Sequence, residues 1–198
     1  MKKSEVRRPK SEVTNPKGDS GKKDSRGPTP NKRNDRGLGT LGLGLRTLII
    51  GYGNPLRSDD AVGWHASLLL AEALSAQDVK VITCHQLTPE LAEPLSQCRR
   101  AVFLDADSEG KPGEIHRKYL RPQASASTAF THTCTPAGLL ASARQLYGYH
   151  PQAVAITVTA ESFEFGETLT PIVAAALPKV VELVSKWIAQ DGESRTGS

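Results

Sequence analysis

The stretch TLIIGYGNPLRSDDAVG, residues 47–63, constrains the fold more than any other. Leu48-Ile49-Ile50 is a short apolar run that reads as a buried strand. A glycine-rich turn follows, Gly51-Tyr52-Gly53-Asn54-Pro55. Two adjacent carboxylates, Asp59 and Asp60, then open a helix expected to run to Ala76, with Val62, Ala66, Leu69, Leu70 and Ala73 on its apolar face. Strand, sharp turn and helix together put acid at the mouth of a sheet, where open α/β folds bind their ligands.

The chemistry of that mouth has three readings. A glycine turn before a helix suggests a nucleotide site, but Gly51-x-Gly53-Asn54-Pro55 lacks the third glycine of the dinucleotide fingerprint. Two carboxylates in the first helical turn would also repel the phosphate that a helix N-terminus attracts. In a second reading Ser58 is an N-cap, and Asp59 and Asp60 only complement the helix dipole. In the third, the dipole keeps both carboxylates ionised and they face a cation.

Downstream, strands alternate with helices. Val79–Cys84 reads as a second strand, followed by the loop His85-Gln86-Leu87 and the helix start Thr88-Pro89-Glu90-Leu91. Ala101-Val102-Phe103-Leu104 is a continuous apolar run, as in a central parallel strand covered on both faces, and ends in Asp105-Ala106-Asp107. Glu114–Leu120 reads as an edge strand, and Val154–Thr159 as another strand. A last helix is expected from Thr170 to Ala189. Thr88-Pro89, Thr135-Pro136 and Thr170-Pro171 have the form of helix starts, with Thr as N-cap and Pro at the first helical position. The pattern predicts an α/β three-layer sandwich: a mostly parallel twisted sheet with helices on both faces.

Charge separates the front of the chain from the rest. Residues 1–46 hold 13 Lys/Arg against 5 Asp/Glu, and residues 47–198 hold 12 against 16. The overall charge of +4 therefore belongs to a basic tail, and the remainder is mildly acidic, which argues against nucleic acid as a ligand of the folded part. The tail has too few apolar residues to offset ordering entropy and is expected to be disordered. The expected organisation is a tail over 1–46, one domain over 47–190 and a frayed end over 191–198. No apolar run approaches the roughly 20 residues of a membrane span. No apolar segment follows the basic N-terminus as in a signal peptide. Three widely spaced cysteines, Cys84, Cys98 and Cys134, suit a reducing compartment, so a cytoplasmic protein is expected.

Asp60, Asp105 and His132 come from three loops that this topology brings to one sheet edge. Two carboxylates and an imidazole form an N/O set suited to a divalent transition ion such as nickel or zinc. Each also has a plain reading: a cap, a turn and an ordinary loop histidine. His65, His116 and His150 are poorer candidates, whereas His85 falls at a strand end on the same edge.

Four segments carry a family resemblance. Gly51–Pro55 with Ser58–Gly63 resembles the opening signature of the hydrogenase maturation endopeptidases. Phe103-Leu104-Asp105-Ala106 is similar to the family's aspartate-bearing strand, and His132 with Thr135–Leu140 to its histidine and following helix. Glu161-Ser162 through Leu169-Thr170-Pro171 resembles the closing motif. The segments are collinear over about residues 47–190. Where many members have an Asp-Gly-Gly-Thr-like segment, this chain has Cys84-His85-Gln86-Leu87-Thr88-Pro89-Glu90-Leu91, which looks more like the branch serving soluble, bidirectional or NAD-linked hydrogenases.

The resemblance implies an endopeptidase that removes the C-terminal extension of a nickel–iron hydrogenase large-subunit precursor after nickel insertion. It implies that Asp60, Asp105 and His132 contact the metal, that Asp60 and Asp105 are catalytic, and that Asn54, His85 and Gln86 bind substrate. The nickel is borne by the substrate, and no organic cofactor is expected. The partner is the precursor, met by a monomer. The competing reading is a nickel-sensing chaperone that binds the precursor without cutting it.

Overall fold

Contacts divide the chain into two units, Met1–Thr40 and Leu41–Ser198. The computed structural model describes residues 47–74, 78–123 and 134–193, all in the second unit. The tail expected over 1–46 lies outside the described residues.

Alternation along the first strand, β1 (Thr47–Tyr52), sets the layers. Successive side chains of a strand point to opposite faces. Ile49 joins Val102, Leu104, Val154 and Ile156 on one side, under Val62, Ala66 and Leu70 of α1 (Val62–Ala73) and Val180, Val184 and Trp187 of α5 (Leu177–Glu193). Leu48 and Ile50 join Ala101 and Phe103 on the other, under Leu95 of α2 (Ala92–Ser96) and Leu139, Leu140 and Ala143 of α3 (Pro136–Tyr147). Most of these side chains are fully buried. Each of the valine, leucine, isoleucine and phenylalanine side chains contributes about 1.5–3 kcal/mol of transfer free energy, which is what holds helices to both faces. The three-layer sandwich anticipated from the alternation is the observed architecture.

The sheet has five strands in the order β2-β1-β3-β5-β4. β2 (Val79–Cys84), β1, β3 (Arg100–Asp107) and β5 (Gln152–Thr159) are parallel, and β4 (Ile115–Leu120) runs antiparallel at the edge. The chain leaves β1 toward β2 on one side, while β3 lies on the other. The crevice beyond the carboxyl ends of β1 and β3 is therefore the topological switch point of the sheet.

α1 crosses β1 and β3 at Gly63, where an added Cβ would lie 2.2 Å from the Leu104 carbonyl oxygen. This glycine serves close helix–sheet approach, not phosphate binding. At the opposite end of β3, the Arg100 guanidinium stacks over the Trp187 ring, 4.1 Å from its centroid, and donates to the Trp187 carbonyl, tying α5 to the sheet.

Several boundaries differ from expectation. The helix expected to begin at Asp59 starts as a 3-10 turn over Ser58–Ala61 and becomes α1 only at Val62, which ends at Ala73. Of the three Thr-Pro starts, only Thr135 caps with its side chain, accepting from Gly138 N–H at 3.1 Å. The last helix is two: α4 (Pro171–Ala174) and α5. Pro178 explains the break, since a proline ring inside a continuous helix clashes with the carbonyl four residues back. β3 runs on to Asp107, so Asp105 lies within a strand instead of ending one.

Candidate active site

The pairing of β1 with β3 ends at Gly51–Leu104. Tyr52 and Asp105 are the next residues on the two strands, and β3 continues beside β5. Asp105 thus projects where β1 has turned away. It is largely buried, and Asp105 Oδ1 accepts its neighbour's Ala106 N–H at 2.8 Å. Burial pushes its carboxyl up to about 6, helped by the negative charges of Asp60 and Asp107, while the Tyr52 hydroxyl donates a hydrogen bond that opposes the rise. The Tyr52 phenol, itself buried beside Asp105, is raised well above its ordinary value and stays protonated.

Asp60 reaches the same place from the 3-10 turn. Its Oδ2 accepts the Asn54 backbone N–H at 2.8 Å. The turn that delivers it depends on Gly53, whose φ of +134° suits glycine and whose Cβ position would lie 1.8 Å from the Asp60 carbonyl oxygen. The Asn54 side chain is engaged in the same turn, Oδ1 accepting Leu56 N–H at 3.0 Å. Asn54, expected to bind substrate, thus orients Asp60 through its own backbone.

Asp59, one residue earlier, does something else. It is fully buried. Its Oδ2 accepts Glu161 N–H at 2.9 Å, Ser162 N–H at 3.0 Å and the Thr170 hydroxyl at 2.9 Å, and its Oδ1 accepts Thr170 N–H at 2.7 Å. Carboxylates satisfied by several N–H donors form strong, charge-assisted bonds. Around this clamp Ser58 N–H donates to Gly166 O at 2.8 Å, Gly166 N–H to Leu56 O at 3.0 Å, and Arg57 Nε to Phe163 O at 3.1 Å. The result holds Ser58 at φ +43°, a left-handed conformation costing a serine about 1–2 kcal/mol. The capping role considered for Ser58 is therefore not the observed one: it has the wrong backbone and makes no side-chain cap. The Thr170 hydroxyl is likewise turned to Asp59, which is why it does not cap α4.

Asp60 and Asp105 line one cleft of about 360 Å³ with Tyr52, Gly53, His85, Gln86, Leu87 and Cys134. His85 is exposed and meets the Trp64 ring edge-on, centroids 5.3 Å apart. Two of the three expected substrate contacts, His85 and Gln86, thus line the cleft with both carboxylates. His132 lies outside the described residues. Among the described residues no three His, Cys, Asp or Glu side chains form a metal-holding group. The Cys134 thiol is raised by burial and by Glu90, and the Cys84 thiol by burial. Such thiols stay protonated and make poor nucleophiles.

Sequence reasoning missed Tyr52 and the division of labour between the two aspartates. Period-2 alternation held the signal for Tyr52, since it shares a strand face with Leu48 and Ile50 and ends the strand. Nothing local to residues 58–60 reveals that Asp59 is clamped by a loop a hundred residues away.

The chain shares its fold with solved structures of proteins named for hydrogenase maturation. The chain matches the hydrogenase maturating endopeptidase HybD from E. coli with a TM-score of 0.58 and 24% identity, over 74% of this chain and 94% of that one. It matches the [NiFe] hydrogenase maturation protease HycI from Thermococcus kodakarensis KOD1 with a TM-score of 0.60 and 21% identity, over 75% and 95%. It matches a hydrogenase 2 maturation peptidase from Thaumarchaeota archaeon SCGC_AB-539-E09 with a TM-score of 0.55 and 25% identity, over 72% and 97%. No protein-family model matches the chain, and no curated protein matches it in sequence. Fold and cleft together define an α/β protein with paired carboxylates at its switch point. The fold is that of the hydrogenase maturation proteases, and the likeness supports the family that the four motifs resemble.

Proposed function

We propose that the protein is an endopeptidase that removes the C-terminal extension of a nickel–iron hydrogenase large-subunit precursor, and that it recognises nickel already inserted there. One observation carries this reading. Asp60 and Asp105, far apart in sequence, line one cleft at the switch point of a fold shared with proteases of hydrogenase maturation.

The electrostatics favour a cationic substrate group. Burial raises the cost of ionising Asp105, and the nearby negative charge of Asp60 adds to it. A divalent ion carried in by the precursor offsets both. Asp60, Asp105 and, on the motif resemblance, His132 would engage that ion and hold the neighbouring peptide bond over the cleft. Such positioning supplies much of the rate of an intramolecular-like reaction. Hydrolysis then needs a proton acceptor for the attacking water and a donor for the leaving amine. Asp105, in the cleft beside the reacting bond, would take the proton of the water and return it to the leaving amine. Asp60, held by Asn54 N–H, is the second carboxylate of the pair. His85 and Gln86 at the cleft rim would contact the substrate chain. Among the described residues no helix is long and apolar enough to cross a membrane. In this reading the protein acts as a cytoplasmic monomer.

Intact-mass analysis of a large-subunit precursor incubated with the protein tests the reading, with nickel-loaded and nickel-free precursor compared. Loss of one C-terminal peptide from the loaded sample alone is expected. Cleavage of both samples removes nickel gating. A stable complex without cleavage in either replaces the protease with the non-cleaving chaperone.

A further inference from the structure

The two edges of the sheet are treated differently. At one, β4 reads Ile115-His116-Arg117-Lys118-Tyr119-Leu120 and exposes Arg117 and Lys118, the charged kind of edge that discourages further strand pairing. At the other, β2 reads Val79-Lys80-Val81-Ile82-Thr83-Cys84, with one charge, no proline and no glycine. Among the described residues β2 pairs only with β1, through an unbroken register from Val79 to Cys84. An apolar edge without these devices presents a row of backbone donors and acceptors that an extended peptide satisfies.

That edge leads into the cleft. β2 ends at Cys84, opposite Tyr52, and the chain continues as His85, Gln86 and Leu87, all lining the cavity with Asp60 and Asp105. We propose that the C-terminal extension of the precursor adds to the β2 edge as a sixth, antiparallel strand, with its scissile bond held over Asp60 and Asp105. This rests on the protease reading above. The direction follows from polarity: β2 runs toward the cleft, whereas an extension leaving the cleft from N to C runs away from it. A new strand would lie about 12 Å, or two and a half strand spacings, from the gap between β1 and β3. About four residues of the extension would cross that distance over His85 and Gln86, and the next six would face β2. In an antiparallel pair every second residue exchanges both main-chain bonds with its partner, so the dependence on extension N–H groups alternates.

A proline scan of the extension reads this directly, because proline removes the N–H and is tolerated at the non-bonded positions of an edge strand. Six nickel-loaded precursors, each with one proline at roughly the fifth to tenth residue after the cut, are compared with the unmodified precursor for kcat/KM. Alternate positions are expected to lose about tenfold, the order of one lost main-chain hydrogen bond, with the intervening ones within about twofold. An unmodified precursor that is cut, with all six variants within about twofold or declining smoothly along the extension, overturns the added strand and leaves the protease reading standing. An unmodified precursor that stays intact overturns both.

Discussion

Asp59 and Asp60 are neighbours with opposite surroundings. Asp59 is fully buried and accepts four hydrogen bonds from Glu161, Ser162 and Thr170. Asp60 accepts one from Asn54 N–H and otherwise faces a cleft with Asp105. Where a carboxylate's acceptor sites are filled by fixed donors, its charge is held within the fold. Where they open onto a cavity, the charge is available to a ligand. The same turn therefore braces the loop over 161–170 and presents a carboxylate to the cleft, and the positive φ of Ser58 lets consecutive side chains serve both.

The sharpest break of this contrast is at Asp105. Asp105→Asn should lower cleavage of a nickel-loaded precursor by about a thousandfold or more, the scale of a lost general acid–base group. Single-turnover mass analysis reads it. The same variant should be more stable than the parent at neutral pH. An acid whose folded value is raised to about 6 holds its proton longer in the folded than in the unfolded chain. Its stabilising contribution is present below about pH 4 and is lost as pH rises through 6, to the extent of roughly 3 kcal/mol. Denaturant melts at pH 4 and pH 7.5 should show the stability difference between variant and parent growing with pH.

Smaller changes fall on the clamp side. Thr170→Val removes the hydroxyl bond to Asp59 while keeping the backbone one, and should cost about 1–2 kcal/mol, or a melting point lower by roughly 3–6 °C. Cleavage per folded molecule should be unchanged. Smallest is Cys134→Ala. The thiol lines the cleft but is kept protonated, so cleavage should change less than about twofold.

The fold was legible because its signals are periodic. Leu48-Ile49-Ile50 and Ala101–Leu104 read as covered strands, and their alternation with helical segments implied a mostly parallel sheet. The site was legible in part. Asp60 and Asp105 meet because a parallel sheet gathers strand ends at one edge, which topology alone requires. His85 and Gln86 reach the cleft for the same reason. What escaped depends on partners remote in sequence. Asp59 looks like its neighbour until the loop over 161–170 is in place, and nothing local shows that the Asn54 oxygen closes a turn while its N–H holds Asp60. The broken last helix had a local signal in Pro178, outweighed by the apolar periodicity on either side of it.

The most direct measurement sets Asp59→Asn beside Asp60→Asn and records melting temperature and precursor cleavage for each. An amide at position 59 turns donors against donors in a buried site, at a cost of about 3–5 kcal/mol. Asp59→Asn should therefore melt about 10 °C lower, while the molecules still folded cut the precursor. Asp60→Asn should melt like the parent and leave the precursor intact. If Asp59→Asn melts normally, or Asp60→Asn still releases the extension, the division between a carboxylate that builds and one that reacts is wrong.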